Sequence, residues 1–199
     1  MSYEYIFPYG KIGHPIWRVH KCRVPKANVF NLEAIFNRSK TIYKILSKEN
    51  KIVTSPGICE IPLVFYALGK YKKLSGTVLD VECCESLISV FLTSMGYKVY
   101  GVDINDYELS KICGENFVFV KRDIIECNFK KKMFDAIIAI STIEHIGVGS
   151  IYGEKPTENK DTKAIKLIRE WLKDDGIIIM SVPMEQKFKI IPNFEKHYD

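Results

Sequence analysis

From Gly76 onward the chain alternates short apolar runs with stretches of helical periodicity, a rhythm that limits it to βαβ architectures with a parallel sheet. The runs span 77–81, 98–103, 117–120, 134–140 and 177–182. They are rich in Val and Ile and almost unbroken by polar residues, as strands covered on both faces must be. Between them, 85–95 and 161–172 read as helices. The second places Ala164, Ile165, Ile168, Trp171 and Leu172 on one stripe, and Asp174-Asp175-Gly176 reads as its stop. The expected fold class is α/β, a doubly wound and mainly parallel sheet in the order 3-2-1-4-5 with helices on both faces.

Before Gly76 the pattern changes. Residues 31–46 put Leu32, Ile35, Phe36, Ile42, Tyr43, Ile45 and Leu46 on an imperfect helical face, and a second helix is expected with Pro62 in its first turn, ending near 69–73. No repeat, low-complexity tract or Pro/Gly-rich linker divides the 199 residues. Residues 1–75 are therefore expected as an N-terminal arm and helices packed on a core domain of 76–199, one compact unit overall.

Charge excludes little. The net charge of +5 and pI of about 8.7 fall short of a dedicated nucleic-acid binder, so nucleic acid is neither indicated nor excluded as a partner. Lys11, His14, Arg18, His20, Lys21, Arg23 and Lys26 crowd the start of the chain, as a solvated arm or an anion-binding surface would. No apolar run reaches the roughly 18 residues that cross a bilayer, and Met1-Ser2-Tyr3-Glu4-Tyr5 lacks the order of a secretory signal. A cytoplasmic protein without a membrane partner is expected. The cysteines form no C-x-x-C pair and read as reduced, mostly buried thiols.

In a doubly wound sheet, ligands sit beyond the carboxyl ends of the strands, and here those ends are polar. The first run leads into Asp80-Val81-Glu82-Cys83-Cys84-Glu85-Ser86. The second ends in Asp103, followed by Ile104, the third leads to Asp123-Ile124, and the fourth ends in Ser141-Thr142-Ile143-Glu144-His145. An ionised carboxylate at Asp103 suits the vicinal hydroxyls of a ribose, and Asp123 suits an exocyclic adenine amine. Each taken alone is more often a solvated strand end or a helix cap.

This order of pieces, from Glu60 to Pro183, resembles the class I methyltransferases that use S-adenosylmethionine (SAM), a Rossmann-like family. Its first motif, V-L-D-V-G-C-G-x-G, corresponds to 78–86, and Thr142-Ile143-Glu144-His145-Ile146-Gly147 looks like its fourth-strand motif. The resemblance implies that Asp80 and the loop carrying Glu82, Cys84 and Ser86 surround the methionine half of SAM. It also implies that Asp103 and Ile104 hold the ribose, that Asp123 and Ile124 flank the adenine, and that Ser141 lies close by. The chain departs from the motif where Glu82, Cys84 and Ser86 replace glycines. A non-glycine residue held in a left-handed conformation costs about 1–2 kcal/mol, and a Glu side chain also takes up pocket space.

For the transfer itself His145 is the candidate base, because imidazole changes charge near neutral pH, and Glu144 is the candidate to orient it or the acceptor. The plainer reading is that both cap the loop. The acceptor, a small molecule, a glycan or nucleic acid, is left open. His14, His20 and His197 read as surface residues, and no His/Cys/Asp spacing suggests a metal. An NAD-dependent oxidoreductase is disfavoured because Glu82 and Glu85 place negative charge where a pyrophosphate would lie. A catalytically inactive methyltransferase-like binding or assembly module is the reading from a different class. Few residues follow the fifth run, which leaves it as an apolar sheet edge. Cover is expected from 17–24, from 187–198, or from a second copy in a homodimer.

Overall fold

A computed structural model describes residues 2–11, 14–23, 44–46, 51–53, 57–71, 75–149 and 153–199, with side chains described from Glu60 onward except that of Glu85. The chain forms two compact units, residues 1–62 and 63–199.

In the first unit β1 (Ser2–Lys11) and β2 (His14–Arg23) make an antiparallel hairpin in which Ser2 faces Arg23 and Lys11 faces His14. Two short strands, β3 (Lys44–Leu46) and β4 (Lys51–Val53), complete a sheet in the order β2-β1-β4-β3. The basic segment expected as an arm is thus mostly in the hairpin, while Lys26 lies outside the described residues. The helix expected over 31–46 is not continued at its end: Lys44–Leu46 is strand, with Ile45 opposite Ile52, a cross-strand pairing that β-branched residues favour. Residues 31–43 lie outside the described ones.

Helix α1 (Gly57–Lys70) begins earlier than expected, so Pro62 sits within it, and it buries Val64 and Leu68. In the second unit follow β5 (Thr77–Val81), α2 (Ile88–Ser94), β6 (Lys98–Asp103), β7 (Phe117–Lys121), β8 (Phe134–Ile140), α3 (Lys160–Trp171) and β9 (Leu172–Ser181). The sheet runs β7-β6-β5-β8-β9 with every pair parallel, which is the order 3-2-1-4-5.

Strand alternation gives the sheet its two faces. Leu79 and Val81 join Ile137, Ala139, Ala164, Ile168 and Trp171 in the core under α3. Asp80 points the other way, where Ser89 of α2 donates to its Oδ2 at 2.7 Å. Helices therefore cover both faces.

One boundary differs. Asp174-Asp175-Gly176 does not stop α3 but lies inside β9, where a register irregularity pairs Phe134 with Leu172 and Ala136 with Ile177. The extra residues bulge out, and a Cβ on Gly176 would lie 2.8 Å from Leu172.

After β9 the tail forms a small antiparallel pair, β10 (Lys189–Ile191) and β11 (Glu195–His197). It folds over the turn that follows β8: Lys196 Nζ donates to the Ile146 carbonyl and Tyr198 OH to Asp161, both at 2.9 Å. Of the expected covers for β9, the β2 segment thus pairs with β1 and the tail with itself, and no described strand pairs with the outer edge of β9. Among the described residues no helix is long and apolar enough to cross a membrane.

Candidate active site

The chain order reverses between β5 and β8, and the polar strand ends gather at that point. Glu82 leaves β5 in a left-handed conformation (φ 56°, ψ 55°), the conformation for which glycine is ordinarily used. Its N–H donates to the Val102 carbonyl at 2.7 Å, which ties the loop to β6. Asp103, buried at the end of β6, accepts from Cys84 N–H at 2.9 Å through one oxygen and from Asn105 N–H at 2.8 Å through the other. Two backbone donors so fix the carboxylate, with acceptor capacity left on each oxygen.

Glu82, Asp103, Ile104, Asp123 and Ile124 line one cleft, together with Arg122, Ile146 and Glu154. The cleft is narrow, about 10 Å³, room for roughly one water. Lys160, from the start of α3, binds two of the lining residues, Asp123 and Glu154, while Glu154 also accepts from Gly147 N–H. Asp123 in addition caps its own turn by accepting from Ile125 N–H at 3.1 Å.

The cleft is strongly acidic. Burial, and then the charges of Asp103, Glu154 and Glu144, push the Glu82 carboxyl well above the ordinary range, with Lys160 opposing. Burial alone would lower the Lys160 ammonium, but its bonds to Asp123 and Glu154 outweigh that and raise it. Asp80 is pushed up to about 7, because burial outweighs the hydrogen bonds from Ser89. The Cys83 thiol is raised by its contact with Cys84 and by burial, as expected of an inert core thiol. Among the described cysteines, Cys83, Cys84, Cys113 and Cys127 are all free.

Past β8, Ser141 is also left-handed (φ 49°), and its N–H donates to Ser181 Oγ at 2.9 Å. Thr142 Oγ1 donates to the Val81 carbonyl at 3.2 Å, which locks this turn to the end of β5. Glu144 is buried. His145 Nδ1 lies 2.7 Å from the Phe194 carbonyl and its ring meets the Phe194 ring edge to face. A wider cleft of about 570 Å³ opens beside this turn, between Gly147–Val148, Pro156–Thr162 and the tail residues Phe188, Ile190, Lys196 and Tyr198.

The structure thus gathers Glu82, Asp103, Ile104, Asp123 and Ile124 into one cleft and ties Cys84 to it through Asp103. It does not bring every candidate to the surface of that cleft. Asp80 is turned beneath the sheet toward Ser89. Ser86 serves α2, its Oγ accepting from Ile88 N–H at 3.0 Å and its carbonyl from Tyr107 OH. His145 faces the tail. His197, read from sequence as a surface residue, is held between Glu185 (3.1 Å) and Glu195 (2.7 Å). Glu154, Lys160 and the contacts of the tail with the turn after β8 escaped the sequence reading, because no motif marks them and Asp123, Ile146 and Asp161, to which Lys160, Lys196 and Tyr198 bind, lie 37 to 50 residues away.

A family model described as "Methyltransferase domain" matches residues 79–180, about half of the chain. The chain belongs to this methyltransferase family. Curated relatives include an uncharacterised methyltransferase of Schizosaccharomyces pombe, 35% identical over 80 residues, a match that covers 37% of this chain and 55% of the relative. The chain thus spans about half the length of the curated relatives it matches. Among solved structures, it is similar to the 1,6-didemethyltoxoflavin-N1-methyltransferase of Burkholderia thailandensis, solved with S-adenosylhomocysteine. The TM-score is 0.57 at 15% identity, covering 89% of this chain and 74% of that one. The PH0226 protein of Pyrococcus horikoshii has a TM-score of 0.50 at 27% identity, covering 73% of this chain and 60% of that one. The Glu82 loop and Asp103 lie at the carboxyl ends of β5 and β6, beside the point where the strand order reverses.

Proposed function

We propose that the protein is a SAM-dependent methyltransferase acting on a small-molecule acceptor. The observation that carries this reading is Asp103. Its carboxylate ends the second strand of the sheet and is clamped by the loop of the first through Cys84 N–H, so the ribose-binding group and the methionine-side loop form one unit.

The donor set fits the cofactor. A vicinal diol needs a fixed carboxylate, which Asp103 provides, and an ammonium and a sulfonium favour the acidic surroundings of Glu82, Glu144 and Glu154. Space is the adverse feature. Glu82 and the Lys160–Glu154 pair must withdraw from a cleft with room for about one water. Asp123 would meet the adenine amine, sharing its charge with Lys160. When bound, SAM supplies an electrophilic methyl carbon, and the chain supplies position.

On the acceptor side, a carbonyl can only accept, so the His145 Nδ1 facing Phe194 carries the hydrogen and the neutral ring keeps its lone pair at Nε2. That lone pair suits taking or holding an acceptor proton, and Glu144 precedes His145 on the same turn. The 570 Å³ cleft, whose lining begins at Gly147, is within the usual range for small-molecule sites, roughly 300–1,000 Å³. The free thiols suit a reducing, cytoplasmic setting.

A second reading, a methyltransferase-like module that binds no cofactor, draws on Glu82 and the narrow cleft. Calorimetry with SAM and with its demethylated product separates them: saturable binding supports the enzyme, and no binding of either supports the module.

A further inference from the structure

We infer that the cleft between the tail and the start of α3 binds a ring compound carrying a cationic amine and rejects the anionic counterpart of the same ring. The strand period decides what the tail presents to that cleft. Phe188, Ile190 and Pro192 alternate along β10 and its flanks, and Lys196 and Tyr198 along β11 and its end. Ile190 stands directly opposite Lys196, so these residues share one face of the pair, and all of them line the cleft of about 570 Å³. The intervening residues 189, 191, 195 and 197 do not line it.

The polar groups on this face are already paired. Lys196 Nζ donates to the Ile146 carbonyl and to Asp161, both at 2.9 Å, and Tyr198 OH donates to Asp161 at 2.9 Å. Asp161 thus clamps the tail onto the first turn of α3 and braces the wall against which a ligand would lie. What stays open is apolar. Phe188 is 50% exposed and Ile190 51%, and the Phe188 and Tyr198 rings lie 6.0 Å apart with an interplanar angle of 57°. Water leaves such a surface most favourably for another flat apolar body, and a cleft of this volume admits a ring system rather than a single ion.

Charge selects among rings. Among the described lining residues Lys196 is the one lysine or arginine, and Asp161 matches it, which leaves the exposed Glu158 as an excess negative charge. A carboxylate or phosphate finds no uncommitted cation in this lining, whereas an ammonium gains from Glu158 and from the faces of aromatic rings. That this ligand is the methyl acceptor rests on the methyltransferase reading, whereas its binding in the cleft does not.

The test is calorimetry of the protein with tryptamine and phenethylamine, and with indolepropionate and phenylpropionate, which carry the same rings on an anionic chain. Saturable binding at one site per chain is expected for the amines, each about 10-fold or more tighter than its acid. Phe188→Ala should weaken amine binding about 5-fold or more. Glu158→Gln should bring each amine within about 3-fold of its acid, and Ile112→Ala, an exposed apolar residue elsewhere, should change nothing. In the unsubstituted protein, the amines should shift the amide resonances of residues 147–148, 157–162 and 188–198 before all others, a readout that needs no variant to fold. Absence of saturable amine binding, acids bound as tightly as amines, Phe188→Ala equal to the parent, or shifts centred elsewhere would overturn the inference. So would shifts at 188–190 that follow protein concentration alone, which would assign this face to a second copy of the chain. Titration of the same protein with SAM keeps the two readings apart. Amine binding without SAM binding leaves the cleft standing and removes the methyltransferase reading, and SAM binding without amine binding does the reverse.

Discussion

Glu82 concentrates the tension in this chain, since a side chain occupies a left-handed position at the mouth of an acidic cleft. Its substitution for a motif glycine was legible in the sequence, and so was the backbone conformation that substitution has to adopt. We expect Glu82→Gly to stabilise the fold by about 1–2 kcal/mol in chemical denaturation and to tighten SAM binding; an unchanged midpoint with unchanged affinity would contradict both parts. Asp80 stands apart from the other strand-end residues, because the two-residue period of a strand sends it to the α2 face and its neighbours to the other. Its pKa of about 7 makes a pH prediction. A carboxyl raised in the folded state favours folding at low pH, and that contribution fades as pH rises from about 4 through 7. Asp80→Asn, which keeps an acceptor for Ser89, should flatten this part of the stability profile and gain up to roughly 4 kcal/mol at pH 8. A slope like that of the parent protein would rule Asp80 out as its source.

Among the elements, the strands were the most legible, because their Val- and Ile-rich runs are set by burial on both faces: 77–81, 98–103 and 134–140 match the structure residue for residue. Boundaries set by tertiary contact were less so. Asp174-Asp175-Gly176 has the composition of a helix stop yet lies in a bulged strand, and Pro62, expected in the first turn of its helix, lies within one that begins at Gly57. Where the tail docks, and the role of the 154–160 segment, were not legible for a related reason, since their bonds to Ile146, Asp161 and Asp123 cross the fold. Lys160 makes this testable. Lys160→Met leaves Asp123 and Glu154 as uncompensated, largely buried charges, and breaking such a pair costs about 3–5 kcal/mol. Lys160→Arg, which keeps the charge, should recover much of the loss. Equal stability of both variants and the parent would mean that the pair does not hold this segment.

At the scale of the whole molecule, the class of fold and the order of its strands could be read from the rhythm of the sequence, and the family from its strand-end motifs. The organisation before Gly76 could not, because short strands of mixed polarity carry no period that distinguishes them from an arm. The outer edge of β9 has no strand partner among the described residues, and Ile178 on that strand is exposed. Soluble proteins cover such edges, so we expect a dimer by light scattering that Ile178→Lys weakens; a monomer at all accessible concentrations would contradict this. The central claim is that the switch point of the sheet holds SAM through Asp103. Isothermal calorimetry of the parent protein, Glu82→Gly and Asp103→Ala with SAM tests it most directly. The account predicts one saturable site in the parent, tighter binding in Glu82→Gly, and a loss of about 1.5–3 kcal/mol per hydrogen bond in Asp103→Ala. No heat of binding in the parent or in Glu82→Gly, or an affinity that Asp103→Ala leaves unchanged, would contradict it.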